Sequence, residues 1–262
     1  MTDAKELFKA GELLSCLIEG VNKDVKESAS EAPHLVRKRL EQIVSTPTFL
    51  NDCVEVLFSQ LVTDPGSRVL FSDPSLRYSL QVFVWPPGFE NEPHLHKTWT
   101  VSAMLQNSLV VFRSKISEAE CLKSQPLSVF AGQVGVLIPP QFHCFRNEGS
   151  DAAVSFHVFS RDHNPRGESP QTVLEDPPQT FDDDDIFAIA RMAATSQDKR
   201  SAKLIRMAFT LVEVPTKLRI VKLMAKIDPD QAVCLGNLLC ELIGEEDAIR
   251  LRRALGTFQC AR

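Results

Sequence analysis

The sequence has no apolar run long enough to cross a membrane; its longest stretches, such as Val134–Pro140, stop far short of the ~20 residues that a spanning helix needs. It has no CxxC pair. The seven cysteines (Cys16, Cys53, Cys121, Cys144, Cys234, Cys240 and Cys260) are scattered and odd in number, so free thiols are expected rather than a disulfide framework or a zinc knuckle. An apolar block is missing at the N-terminus, where Asp3, Lys5, Glu6, Lys9 and Glu12 fall, and a cytoplasmic protein is expected. Positive charge is not in excess: the formal net charge is −5, which argues against a generic nucleic-acid binder. No internal repeat of fixed period is present. Histidine is scarce, with six residues, and tyrosine occurs once, at position 78.

What remains is an ordinary globular composition, 44% apolar and 24% charged over 262 residues. That length accommodates one large domain, or a medium domain with a helical appendage, and buries a core without staples. Three zones differ in period. Residues 1–62 read as helices, with Leu7, Leu14, Leu17 and Ile18, then Leu35, Leu40 and Ile43, then Phe49, Val54, Val56, Leu57 and Leu61 at helical spacing. Over residues 63–162 the period becomes two, as in Tyr78–Trp85, Trp99–Leu105 and Leu109–Phe112, with turn signals between the runs. Many short strands at close spacing predict a β-barrel or sandwich. Residues 163–180 are rich in Pro, Gly, Glu and Gln and read as a linker. Residues 181–262 read as helical, starting at the acidic run Asp182–Asp185, where negative charge suits a helix N-terminus.

Four of the six histidines lie in the strand zone: His94, His96, His143 and His157. His94 and His96 are two apart, so on a strand they share a face. With His143 from a later strand they compose a facial metal site, and neutral imidazole suits iron, nickel, copper or zinc. The flanking residues sharpen the pattern: Gly88, five residues, His94-Leu95-His96, and later Pro139-Pro140-Gln141-Phe142-His143 with Asn147 four beyond.

Gly88-x5-His94-x-His96 and His143-x3-Asn147 resemble the two motifs of the cupin superfamily. The segment Arg68–Asp162 more narrowly resembles the cysteine dioxygenase-like thiol dioxygenases, through Trp85-x2-Gly88, Pro93-His94-x-His96-x-Thr98-Trp99, Pro139-Pro140-x2-His143 and Ser155-Phe156-His157. The resemblance implies an α+β protein: a central cupin barrel, or double-stranded β-helix, flanked by N-terminal helices that pack on it and by a C-terminal helical region. It implies iron(II) held by His94, His96 and His143. The glutamate ligand of many cupins has no counterpart, because Thr100 and Val101 stand in its place. It implies that Arg68 binds a substrate carboxylate, although a surface arginine at a strand start reads equally well, and that His157 with Ser155 acts beside the metal. The tyrosine that ends the family's Ser-His-Tyr run is Phe159 here, and the cysteine that some members cross-link to it is Val101. The implied activity is oxidation of a small carboxylated thiol, L-cysteine first, to its sulfinate with O2. The alternatives are a non-catalytic metal- or ligand-binding cupin module with a helical interaction tail, and a different metal-dependent cupin reaction.

The tail has no counterpart in that family. Between residues 191 and 226 nine basic residues face only Asp198 and Glu213. The stretch reads as the solvated face of amphipathic helices, open to an acidic partner or to its own start at Asp182–Asp185. Ile220, Leu223, Met224 and Ile227 form a packing stripe. Expected partners are a small thiol and O2, with a protein partner through the C-terminal helices, and neither membrane nor nucleic acid.

Overall fold

Helical periodicity in the N-terminal zone resolves into three helices. α1 (Glu12–Glu27) buries Leu14, Leu17, Ile18 and Val21, a single stripe at i, i+3, i+4 and i+7. α2 (Ala32–Ile43) opens with Pro33 in its first turn, where a backbone N–H has no helical partner to lose, and buries Val36 and Leu40. α3 (Pro47–Leu61) is capped by Thr46, whose hydroxyl oxygen accepts from the Phe49 N–H at 3.3 Å. The computed structural model describes residues 11–64, 67–96, 98–160 and 181–259, so the linker reading of residues 163–180 lies outside the described residues, as does Leu7.

The middle zone holds β1 (Val69–Asp73), β2 (Tyr78–Trp85), β3 (His94–Leu95), β4 (Thr100–Gln106), β5 (Ser108–Ser114), a short α4 (Glu118–Leu122), β6 (Leu127–Phe130), β7 (Val134–Leu137), β8 (Phe142–Arg146) and β9 (Ala153–Ser160). They form two antiparallel sheets, one ordered β1-β2-β9-β4-β7 and the other β3-β8-β5-β6. Among the described residues no ladder joins the two sheets, so they pack as a sandwich; the expected barrel is present as two facing sheets rather than a closed cylinder. Side-chain alternation gives each sheet two different surroundings. Phe83, Trp85, Met104 and Phe159 from the larger sheet meet Leu109 and Phe145 from the smaller one, forming an inner aromatic core. The opposite face of the larger sheet, with Leu80, Val82, Val84, Val101, Phe156 and Val158, packs on helices. Phe49 of α3 meets Phe156 edge to face, with ring centroids 5.4 Å apart.

The C-terminal zone is α5 (Asp183–Ala193), α6 (Lys199–Leu211), α7 (Val214–Met224), α8 (Pro229–Cys240) and α9 (Glu245–Gln259). Aspartates start three of them. Asp182 and Asp185 form a reciprocal capping box on α5, Asp198 accepts from Ser201 N–H at 2.7 Å, and Asp228 accepts from Gln231 N–H at 3.0 Å. These helices share one core with α1–α3 and the larger sheet. Ile220 and Met224 are fully buried there, so the stripe on α7 packs within the chain.

Much of the basic stretch is likewise paired inside the chain. Arg219 reaches Asp184, and Arg191 reaches Asp151 at 2.7 Å. Arg200 of α6 binds two carboxylates of α3, Asp52 at 2.6 Å and Glu55 at 2.8 Å; Lys203 also reaches Glu55. Asp52 is fully buried and does a second job. Its other oxygen accepts the N–H groups of Leu13 and Leu14, at 2.9 and 3.1 Å, closing the N-terminus of α1, whose Gly11 has no side chain to cap with. No helix among the described residues is long and apolar enough to cross a membrane.

Candidate metal centre

The two histidines of β3 and its end meet His143 of β8 because β3 and β8 pair with His94 opposite His143. Opposed residues in an antiparallel ladder share a face. His96, two residues on, stays on that face, and the three rings lie 4.4–5.2 Å apart by centroid. Their ligand nitrogens all fall within 4.8 Å of one another. This is the one group of three or more potential metal-ligating side chains among the described residues.

Two of the rings, His94 and His96, are held through Nδ1. His94 Nδ1 lies 3.0 Å from the Glu92 carbonyl, which can only accept, and within reach of the Asn91 side-chain amide, which can only donate, so this nitrogen has a partner in either tautomer. Asn91 steadies that loop, its Oδ1 accepting from the Phe145 N–H at 2.8 Å and its amide lying 3.2 Å from the same ring nitrogen. His96 Nδ1 lies 3.2 Å from the Thr100 hydroxyl. Thr100 is one of the two positions where the sequence pattern had no carboxylate; here its hydroxyl orients the His96 ring instead. The Nε2 atoms of His94, His96 and His143 are all buried without a hydrogen-bond partner. Three convergent lone pairs left unsatisfied in an apolar wall are costly unless something binds them, and a divalent cation fits that donor set. Outside the cluster, Glu90 pairs with Arg146 at 2.6 Å, and Asn147 is structural: its amide donates to the Trp85 and Asp151 carbonyls. Gly88, at φ +75°, turns the chain after β2 in a conformation that a side chain would strain.

Burial lowers the basicity of all three rings, of His96 to about 4, and the neighbouring histidines lower His96 and His143 further. All three rings therefore favour the neutral form, the form that binds metal, more than an exposed histidine does. The sign for stability follows directly. Between pH 6.5 and about 4 the unfolded chain takes up protons that the folded metal-free protein refuses, so stability falls as pH falls through that window. Each such histidine contributes about 1.4 kcal/mol per pH unit. The melting temperature of the metal-free protein is expected to drop from pH 6.5 to pH 5, and His96→Gln to flatten that slope. Identical slopes for both proteins would remove His96 from the account.

Behind the cluster runs a polar chain. The Trp85 indole N–H donates to Ser155 Oγ at 2.7 Å, Ser155 Oγ lies 2.7 Å from His157 Nε2, and Ser102 Oγ lies 2.8 Å from His157 Nδ1. Both ring nitrogens of His157 are satisfied, and burial lowers its basicity to about 3. Phe159 stacks parallel to His157 at 5.3 Å and to His96 at 6.0 Å, so an apolar ring stands between the two imidazoles. Tyr78 does not restore that hydroxyl: its side chain lies on the helical face of β2 and donates to Asn22 at 2.6 Å.

Arg68 is not a surface residue. It is buried, its guanidinium 5.4 Å from the Phe83 ring centroid and 5.1 Å from that of Phe181, with the Asp185 carboxylate acting on it. Phe83 also meets His157 edge to face at 5.0 Å, so one ring touches both residues. Cys144, next to His143, faces the other way and packs with Cys121 and Phe112. Thr100, Ser102, Trp85 and Asn91 escaped the sequence reading as site residues. For Thr100 and Ser102 the signal was their period-two placement on one strand, but only the register with β9 brings Ser102 opposite His157.

No family model matches the chain, and no curated protein matches it. Similar solved structures include cupins. A cupin superfamily protein from Desulfitobacterium hafniense is 14% identical over 36% of this chain and 74% of its own, with a TM-score of 0.30. The Cnp3 cupin domain of Schizosaccharomyces pombe is 17% identical over 36% of this chain and 59% of its own, also at 0.30. An RmlC-like cupin with a double-stranded β-helix fold from Methanocaldococcus jannaschii is 13% identical over 32% and 70%, at 0.28.

Proposed function

We propose that this chain is an iron(II)-dependent thiol dioxygenase that converts a small carboxylated thiol, L-cysteine first among them, to its sulfinate. The observation that carries the reading is the convergence of three buried, unpartnered imidazole Nε2 atoms with no carboxylate in the group. Three neutral ligands leave a divalent cation its full charge, which favours an anionic thiolate beside it. Iron(II), when bound, supplies the redox chemistry that joins a thiolate to dioxygen, with both oxygen atoms passing to sulfur and none left over.

The chain's own residues bind, orient and exclude water. Glu92 O and Thr100 hold the ring orientations of His94 and His96 through their Nδ1 atoms. Phe145 and Phe159 wall the cluster with apolar surface. In this reading His157, neutral and bonded at both nitrogens, positions its surroundings through Ser102 and Ser155 rather than supplying a proton near neutral pH. Arg68 is assigned to the substrate carboxylate on the strength of the family resemblance, its guanidinium fork being suited to two oxygens.

Oxygen uptake by iron-loaded protein, compared for L-cysteine, 3-mercaptopropionate and cysteamine, tests the reading. Thiol-dependent uptake with sulfinate as product is expected, with the carboxylated thiols ahead of cysteamine. No uptake by protein shown to hold iron would replace the enzyme with a metal- or ligand-binding module, a reading favoured by the Phe159 ring on His157.

A further inference from the structure

We infer that Arg113 recognises an anionic group on the molecule bound at the histidine cluster. The inference rests on the proposed function and adds to it a second residue, besides Arg68, that selects for the anionic end of the ligand. On β8, His143 pairs with His94 of β3 on one side and with Arg113 of β5 on the other. Opposed residues share a face with Cβ atoms about 5 Å apart, so Arg113, His143 and His94 form one row across the smaller sheet. The alternation of β5 shows which face this is. Leu109 and Val111 line the inner aromatic core, whereas Val110 and Phe112 pack outward with Cys144. Arg113 continues the inner set.

Its surroundings differ from those of the other arginine near the site. The ladder between β5 and β6 ends at Val111, so β6 does not flank Arg113, and its side chain is exposed. Among the described residues no carboxylate forms an ion pair with it. Arg68, by contrast, is sandwiched by two aromatic rings and faces Asp185. An exposed guanidinium one strand from a metal ligand offers two parallel donors to a carboxylate, sulfinate or sulfonate whose other end reaches the cluster.

The test uses full-length protein loaded with cobalt(II), whose absorption reports a coordinated thiolate without turnover. 3-Mercaptopropionate carries an anionic tail and 2-mercaptoethanol a neutral one. Arg113→Gln is expected to weaken 3-mercaptopropionate about tenfold and to leave 2-mercaptoethanol within about twofold, with Arg113→Lys between wild type and Gln. High salt is expected to shrink the difference, because the charge is exposed. Equal losses on both thiols, or none on either, would overturn the assignment. If wild type takes cobalt but neither thiol, the thiol reading fails and sulfite decides: Arg113-dependent binding supports the inference, and Arg113-independent binding ends it. If wild type takes no cobalt, the metal-centre reading and this inference fall together.

Discussion

His96→Ala abolishes stoichiometric metal binding while the protein stays folded; that is the first expected result. Three imidazoles whose ligand nitrogens lie within 4.8 Å of one another form the candidate site, and removing one leaves a two-ligand fragment. Even indirect partners of metal ligands change affinity about 10–100-fold, so loss of a ligand itself is expected to exceed about 100-fold. The cost to folding is smaller. The Thr100 hydroxyl loses its ring partner, worth about 1–3 kcal/mol, against a typical domain stability of about 5–15 kcal/mol. His143→Ala should behave alike. His157→Ala should keep its metal, because that ring is bonded at both nitrogens to serines and stacked on Phe159. Metal analysis after gel filtration, with circular dichroism as the fold control, separates these cases. One full equivalent of metal on His96→Ala, or its loss on His157→Ala, would show that the ligands have been misassigned.

Asp52→Ala is the larger perturbation of stability. This carboxylate is fully buried on α3, receives Arg200 from α6 at 2.6 Å, and accepts two N–H groups at the start of α1. Its loss leaves two helix N–H groups and a half-buried guanidinium without it, although Glu55 still holds part of Arg200. Breaking a buried pair costs about 3–5 kcal/mol, or a fall in melting temperature of roughly 10 °C for a chain of this size. Scanning calorimetry on the wild type, Asp52→Ala and Asp52→Asn measures it. A fall below about 2 °C would mean that α1 and α6 are held by apolar packing alone.

The elements were largely legible in the sequence because local signals and the tertiary environment agree. Tyr78–Trp85 alternates and is β2 at those bounds; the acidic run Asp182–Asp185 sits at a helix start and Asp182 caps it. Disagreement arose where a signal was short. α4, five residues long, has no periodicity to read, and the four-residue β6 and β7 are equally brief. Arg68 stood at a strand start, which read as well as a surface position as a binding one; only the packing of Phe181 from the distant α5 side covers it.

The sequence by itself determined which histidines to look for together: period two puts His94 and His96 on one face, and the residues flanking His143 marked it as the third member of the cluster. Tertiary structure alone decided what surrounds them. Strand register brought Ser102 to His157 and Arg113 to His143, and Asp52 to the joint of two helices through contacts 38 to 148 residues apart within that network. The physical reason is that side-chain direction along a strand or helix is a local, periodic property, whereas the pairing of one element with another is settled by the burial of the whole core.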